Sequence, residues 1–96
     1  MTDVWIVGEY HVRPEHLDRV RTRLEDHERR TREEPGCLLA AASQDLDDPL
    51  VLRSIQRWED EAALDVHRAL PHVREMDGGA GERLSQPFEL VRLRRG

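Results

Sequence analysis

The sequence contains one cysteine, no lysine and no asparagine, so all 15 basic residues are arginine. Because Cys37 has no second cysteine to pair with, no disulfide bond can form within the chain, as is usual in a reducing cytoplasm. No apolar run approaches the ~20 residues that cross a bilayer, and residues 1–3 do not begin the basic and then apolar pattern of a secretion signal. These absences predict a cytoplasmic protein that does not enter a membrane.

The sequence also has fewer basic than acidic residues. The 20 acidic residues outnumber the basic ones, and the formal net charge is −5. Such a domain has no overall electrostatic attraction for polyanions. Arg92, Arg94 and Arg95 cluster near the end of the sequence, but a solvated chain end explains them better than a basic binding patch. We therefore expect no nucleic-acid partner.

The length of the chain limits the size of its core. Its 96 residues suffice for one domain, which we assign to residues 1–96. A domain this short buries only about 60–65% of the surface that its unfolded chain exposes. The core must therefore be thin, and a partner subunit would add to the buried surface.

The first half of the chain has the pattern of a strand, a helix and a strand. Residues 4–13 alternate between two faces, which predicts a strand. After Pro14, a charge-rich helix is expected from Glu15 to about Glu33, with one narrow apolar stripe. Pro35 and Gly36 end that helix. Residues 37–44, apolar on both faces, are predicted to form the second strand.

The second half of the chain has the pattern of a strand, a helix and a strand again. A turn at residues 45–49 leads to a strand over 50–59, and Asp60 is a natural N-cap for a helix that starts at Glu61. Pro71 either breaks this helix or starts a further turn through Met76. Residues 77–87 form the one long flexible segment, suited to a lid or a disordered loop, and residues 88–94 form the last strand. One side of the second helix carries Ala63, Val66, His67 and Leu70.

This βαββαβ order predicts an α+β fold, a ferredoxin-like sandwich with an antiparallel four-stranded sheet. Two helices can cover only one face of such a sheet. The first strand nevertheless carries Trp5 and Val7 on the face opposite Tyr10. We expect the uncovered face to meet the same face of a second copy, which gives a homodimer.

Several segments together resemble the antibiotic biosynthesis monooxygenase family. They are residues 35–38 (PGCL), the turn 47–49 (DDP), residues 58–67 (WEDEAALDVH) and the following Pro71-His72. The resemblance covers essentially the whole chain, and the stretch from Trp58 to His67 is its most specific part. It implies a dimeric α/β barrel with one pocket per subunit between sheet and helices.

The resemblance also implies a type of chemistry. Members of the family oxidise electron-rich aromatic polyketides or quinols with molecular oxygen, without a metal or a flavin. Another branch degrades haem, with an asparagine that would fall near Gly8 and a tryptophan roughly where His67 stands. This chain has no asparagine, so haem degradation is not expected. Gln56 stands where the family often has a glutamate.

His67 is the candidate catalytic base. It lies on the apolar side of the second helix, so its imidazole is expected to point toward the sheet and to titrate near neutrality. There it can take a proton from a phenolic or anthrone-like substrate. The alternative is a core histidine that is hydrogen-bonded to a neighbouring carbonyl.

Four further residues are candidates for contact with a small aromatic substrate. Tyr10 is expected on the helix-facing side of the sheet, where its hydroxyl could orient a carbonyl or phenol as part of the catalytic set. Trp58 could stack on the substrate, Gly8 could leave room beside Tyr10, and His72 could line the pocket mouth. The alternatives are core packing for the two aromatic residues, a β-bulge at Gly8, and a helix-capping or interface role for His72.

The sequence predicts no metal site. His67 and His72 are five residues apart, which does not place two imidazoles on one helix face as the i, i+4 spacing of metal-binding histidine pairs does. The acidic cluster at residues 45–48 lacks the glycine and terminal glutamate of a calcium loop. No cofactor is therefore expected.

Three functions remain open at this stage. The leading one is a cofactor-independent monooxygenase that oxidises an anthrone-like polyketide or a quinol with molecular oxygen. The second is a dimer that binds a small hydrophobic metabolite without turnover. The third is a polyketide cyclase or isomerase that uses the same pocket and base without oxygen.

Overall fold

The computed structural model describes residues 3–78 and 81–94. Its four strands are β1 (Val4–His11), β2 (Cys37–Gln44), β3 (Val51–Trp58) and β4 (Glu89–Arg94). Its three α-helices are α1 (Leu17–Thr31), α2 (Glu61–Arg68) and α3 (Pro71–Gly78). The strands form one antiparallel sheet in the order β2-β3-β1-β4. This is the predicted ferredoxin-like α+β fold.

β1 lies in the middle of the sheet and confirms the predicted alternation. Its buried side chains alternate with partly exposed ones along the whole strand, so that one face points to the helices and the other is open. Gly8 pairs with Ser54 on one side and with Leu90 on the other, in unbroken register, so there is no β-bulge at Gly8. The helix-facing residues of this segment are Val4, Ile6, Gly8, Tyr10 and Val12.

α1 begins later than predicted and is followed by a tight turn. Pro14 starts a short 3-10 turn (Pro14–His16) before the α-helix begins at Leu17. After α1, the chain turns at Gly36, which has a φ of +83°. A Cβ atom at this position would lie 2.6 Å from the Cβ of Ala63, so both the backbone angle and the packing require glycine. The turn leads directly into β2.

The region of α2 and α3 resolves the open question at Pro71. The Asp60 side chain caps α2 by accepting a hydrogen bond of 2.8 Å from the backbone N–H of Ala63, as predicted. α2 ends at Arg68, and Pro71 starts a separate helix of eight residues. Val66, which the sequence places on one side of the helix with His67, is 65% exposed, and the buried residues of α2 are Leu64 and His67.

The segment between α3 and β4 is not continuously flexible. Residues 79 and 80 lie outside the described part of the chain. Leu84, however, is buried in the core and forms an isolated β-bridge with Val12. The backbone N–H of Ser85 donates to the carbonyl of His11 over 2.8 Å. The prediction of a lid or a disordered loop is therefore wrong for the residues around Leu84.

The open face of the sheet carries an apolar row that crosses all four strands. Val7 pairs with Ile55 and Val91, and Ile55 also pairs with Ala41. Val91 is 50% exposed. No helix of the described residues is both long and apolar enough to cross a membrane.

Beside this row, ionisable residues of the open face pair within the chain. Glu9 Oε1 lies 2.6 Å from His11 Nε2, and Arg53 Nε donates a hydrogen bond of 3.1 Å to Glu9 Oε2. Arg53 Nη1 also donates to Asp45 Oδ1 over 2.7 Å. A contact with a second copy is thus not needed to pair these charges.

Candidate functional site

A pocket opens between the helix-facing side of the sheet and helices α2 and α3. The cavity volume that water can occupy is about 50 Å³. Ligand pockets usually hold ~300–1,000 Å³, so an aromatic substrate would require the lining side chains to move apart. The lining residues are Ile6, Gly8, Tyr10, His27, Ser54, Gln56, His67, Arg68, Val73, Phe88 and Leu90.

One wall of the pocket consists of two stacked rings above a glycine. The centroids of the Tyr10 and Phe88 rings are 4.6 Å apart, with the planes inclined by 30°. A Cβ atom on Gly8 would lie 2.8 Å from Cε2 of Phe88. The missing side chain of Gly8 therefore makes the space that the Phe88 ring occupies.

Beside this wall, on the same face of the sheet, a chain of buried hydrogen bonds ends at Glu28. Trp58 Nε1 donates to Gln56 Oε1 over 3.0 Å, and Gln56 Nε2 donates to both carboxylate oxygens of Glu28, at 3.0 and 3.2 Å. The Ser54 hydroxyl also donates to Glu28 Oε1. Ser54 and Gln56 themselves line the pocket, so the chain connects the buried carboxyl group to the ligand space.

Glu28 is a buried acid that titrates near neutrality. Its side chain comes from α1 and the residue is only 1% exposed. Burial raises the pKa of this carboxyl to about 7, although the hydrogen bonds from Ser54 and Gln56 oppose the rise. Near pH 7 the group can therefore both hold and release a proton.

His67 is held by a carboxylate on one side and reaches the pocket on the other. Its Nδ1 lies 2.8 Å from Glu34 Oε1, and its ring centroid lies 4.7 Å from that of Trp58. Burial lowers the pKa of His67, and the bond to Glu34 partly offsets this. The neutral imidazole must then place its hydrogen on Nδ1, where a carboxylate can accept it.

The second ring nitrogen of His67 faces open space. Among the described residues, no fully buried side-chain nitrogen or oxygen lacks a hydrogen-bond partner. No described residue bonds Nε2 of His67, so this atom is not fully enclosed by protein, and the pocket is the open space that His67 lines. In the tautomer fixed by Glu34, Nε2 carries a lone pair and can accept a proton.

Two more histidines extend this cluster. His72 Nε2 lies 3.1 Å from Glu34 Oε2, and His72 Nδ1 lies 3.3 Å from Nδ1 of His27. Burial, together with the neighbouring His72 and His67, lowers the pKa of His27 to about 4, so His27 is neutral at pH 7. Glu34, His67 and His72 each offer one metal-ligand atom within 4.8 Å of the other two.

The helix break explains why the two histidines of α2 and α3 converge. The sequence interpretation treated His67 and His72 as positions of one helix, where a spacing of five points them apart. Because α2 ends at Arg68 and α3 starts at Pro71, the two rings instead turn toward Glu34 from separate helices. Glu34 follows the end of α1, just before the turn at Gly36.

The structure brings three of the five predicted site residues into the pocket wall. His67, Tyr10 and Gly8 line it, and Trp58 and His72 do not. Trp58 is 0% exposed and packs behind His67 and Gln56, so its ring has no surface left for a substrate. His72 faces a second recess, beside His27 and Met76.

Sequence reasoning missed the residues that hold the candidate base and acid. Glu28 lies four residues after Leu24 and so continues the apolar stripe of α1, which is a local signal, whereas nothing local marks Glu34, which follows the helix among other charges. Ser54 and Gln56 do carry a signal, because they share the face of β3 that also bears Trp58. Polar residues on the buried face of a central strand require buried partners.

The fold and the pocket define an α+β protein with a ligand space between an antiparallel sheet and its helices, and with an imidazole facing that space. The chain belongs to the antibiotic biosynthesis monooxygenase family, whose model matches residues 4–77.

Solved structures support the same assignment. A conserved protein from Methanosarcina mazei Go1 is 26% identical with a TM-score of 0.93, over 100% of this chain and 95% of that chain. A protein from Mycobacterium tuberculosis is 27% identical with a TM-score of 0.88, over 95% and 92%. A structure named antibiotic biosynthesis monooxygenase is 28% identical with a TM-score of 0.85, over 94% and 95%. No curated protein matches the sequence significantly.

Proposed function

We propose that this protein is a cofactor-independent monooxygenase that oxidises an anthrone-like aromatic polyketide or a quinol with molecular oxygen. Membership of the family supports a monooxygenase-like function in general terms. The observation that carries the proposal is the arrangement of His67, with Nδ1 held by Glu34 and Nε2 open to the pocket. The substrate class is part of the proposal.

The first step is removal of a proton by His67. A neutral imidazole whose lone pair faces the pocket is a suitable general base at neutral pH. Glu34 accepts the Nδ1 hydrogen and stabilises the imidazolium that forms when Nε2 takes the substrate proton. In an anthrone or a quinol, loss of this proton leaves an anion delocalised over the aromatic rings.

The later steps use the electrons of the substrate itself. The anion gives one electron to oxygen, and the resulting substrate radical and superoxide combine into a peroxide anion. The imidazolium of His67 returns its proton to that anion. Loss of water from the anthrone hydroperoxide then leaves a quinone, with one oxygen atom of O₂ in the product and the other in water.

The pocket walls suit a flat aromatic substrate. The stacked rings of Tyr10 and Phe88 offer an apolar surface against which fused rings can pack. Tyr10 can also present its hydroxyl to a carbonyl or phenol of the substrate. We propose that Trp58 and His72 act indirectly, since Trp58 packs on the ring of His67 and His72 shares its carboxylate partner.

We also propose that two copies pair through the open face of the sheet. The apolar row of Val7, Ile55, Ala41 and Val91 is continuous across the four strands and no described helix covers it. A second copy of the same face is apolar in the same places, as a twofold symmetric interface requires.

The test is oxygen uptake by the untagged protein, treated with a chelator, on a panel of anthrones and hydroquinones. We expect uptake well above the spontaneous rate, and a loss of about 10²–10⁴-fold in His67→Ala. His16→Ala, which removes a histidine that does not line the pocket, is the matched control. Uptake at the spontaneous rate with every substrate, or full activity in His67→Ala, would contradict the proposal.

One observation favours a second candidate, a polyketide cyclase or isomerase. Such reactions need a base and an acid. His67 offers the base, and the Glu28 carboxyl, which has a pKa of about 7, can supply a proton to the pocket through the Ser54 hydroxyl. Turnover of a substrate under strictly anaerobic conditions would favour this candidate over the monooxygenase. Binding without turnover in either condition would favour a non-catalytic binding protein.

A further inference from the structure

We propose that Glu34, His67 and His72 form a binding site for a divalent first-row transition metal ion, with zinc as the representative. Two imidazoles and one carboxylate are a common donor set for such ions. Glu34 already contacts both imidazoles, since Glu34 Oε1 lies 2.8 Å from His67 Nδ1 and Glu34 Oε2 lies 3.1 Å from His72 Nε2.

The spacing of the ligand atoms requires little rearrangement. Zinc bonds of about 2.0–2.2 Å place tetrahedral ligand atoms ~3.4 Å apart. The two distances from Glu34 involve different carboxylate oxygens and are 2.8 and 3.1 Å, and one ligand atom from each residue lies within 4.8 Å of the other two. Closing the widest of these gaps to ~3.4 Å takes about 1.4 Å at most.

His27 already occupies the position of a supporting residue. A metal-bound histidine usually donates the hydrogen on its other ring nitrogen to a nearby acceptor. If His72 binds the ion through Nε2, its hydrogen moves to Nδ1, which lies 3.3 Å from Nδ1 of His27. His27 accepts this bond once its own hydrogen sits on Nε2, so every proton in the cluster has a place.

Metal binding would change the state of His67. A metal on Nδ1 uses the lone pair of that atom, so the ring hydrogen moves to Nε2, which faces the pocket. The same imidazole can then no longer accept a proton from a substrate. The metal thus inhibits the reaction, a consequence that rests on the proposed function, whereas the binding site itself does not.

The binding test uses cobalt(II), which gives visible absorption bands in sites of this type, and zinc titration by calorimetry. The untagged protein is expected to bind one ion per chain. Glu34→Gln and His72→Gln each remove a direct ligand and are expected to weaken binding by more than the ~10–100-fold that loss of a supporting residue costs, and His16→Ala to leave it unchanged. Circular dichroism verifies that each variant is folded, and Glu33→Gln controls for the loss of one neighbouring carboxylate.

Two results would overturn the metal site. One is the absence of cobalt bands and zinc heat at a large excess of metal. The other is binding that persists in Glu34→Gln and His72→Gln, which would place the ion elsewhere on the chain.

A second measurement separates this inference from the proposed function. If the protein turns over a substrate, zinc is expected to suppress turnover reversibly, and a chelator to restore it. At zinc concentrations that inhibit the unaltered protein, turnover by His72→Gln should stay at the level that this variant shows without zinc. If no substrate is turned over, the binding experiment alone still decides the metal site. Zinc that binds at these residues but leaves turnover intact would refute the inhibition.

Discussion

The carboxylate of Glu34 lies 2.8 Å from Nδ1 of His67, although the two residues are 33 positions apart in the chain. This contact sets the tautomer of the imidazole and therefore decides which nitrogen can act as a base. It also links the end of α1 to α2, so the candidate base is aligned by the packing of two helices against the sheet.

Replacing Glu34 by glutamine is expected to shift the pH dependence of turnover. The bond to Glu34 raises the pKa of His67 against the effect of burial, so its loss lowers that pKa further. A base works when deprotonated, so the acidic limb of kcat/KM should move to lower pH, and the plateau should fall because the base is weaker. An NMR titration of the His67 ring gives the same pKa directly. Glu33→Gln, an exposed neighbour, should leave both unchanged, and an unmoved limb in Glu34→Gln would contradict the assigned contact.

Glu28 should make the protein less stable as the pH rises. Its pKa is about 7 in the folded state against 4.5 for the ordinary group, so the folded chain holds a proton that the unfolded chain has lost between these values. The free energy of unfolding should therefore fall by about 3 kcal/mol between pH 4.5 and pH 8 through this group.

The measurement is urea unfolding of Glu28→Gln beside the unaltered protein across that pH range. The variant lacks the titrating group, so its stability relative to the unaltered protein should increase with pH by about the same 3 kcal/mol. Glu25→Gln on the exposed side of α1 should show no such trend. Parallel curves for Glu28→Gln and the unaltered protein would show that Glu28 is not the responsible group.

Gly8→Ala should displace Phe88 from the pocket wall. The new Cβ atom would lie 2.8 and 2.9 Å from two carbons of the Phe88 ring, which must then turn away from Tyr10. We expect a loss of about 1–3 kcal/mol in the free energy of unfolding. Chemical denaturation measures it.

Two comparisons make this prediction specific. Gly81→Ala introduces the same group where no heavy atom lies within 4 Å, and it should be nearly neutral. In a Phe88→Ala background, Gly8→Ala should lower the free energy of unfolding much less, because the clashing ring is gone. An equal decrease in both backgrounds would mean that Phe88 is not the obstacle.

Val7→Glu should convert the proposed dimer into a monomer. It places a charge at the centre of the apolar row on the open face, where a second copy would have to bury it. Leu46→Glu makes the same change on a fully exposed turn residue and should leave the assembly intact. Light scattering after gel filtration gives the mass of each. A Val7→Glu protein that is still dimeric would place the interface elsewhere.

Much of the fold could be predicted because its signals are local. The alternation along β1 and the Asp60 cap each depend on a few neighbouring residues, and both are confirmed. Whether Pro71 ends a helix or starts a new one was left open, because a proline is compatible with both.

The site was less predictable because its contacts join distant segments. His67, Tyr10 and Gly8 could be placed on the pocket side from periodicity alone. Glu34 could not, since it follows α1 among several carboxyl groups and only the packing against α2 decides which of them is buried. Glu28 falls on the apolar stripe of α1, but its partners on β3 are distant in the sequence. The exposure of Val66 could not be predicted, because the apolar stripe of a helix of only eight residues leaves its buried face poorly determined.

The bridge between Val12 and Leu84 bears on how a ligand enters. The segment between α3 and β4 is held at Leu84 and cannot move as one body. Only a few residues lie on either side of Leu84, and each residue of chain reaches no more than about 3.5 Å. Widening the pocket then depends on the side chains that line it, Phe88 among them, and not on movement of the whole segment. Side-chain rotations are far faster than loop or domain motions. We therefore expect ligand exchange to be set by side-chain rotation.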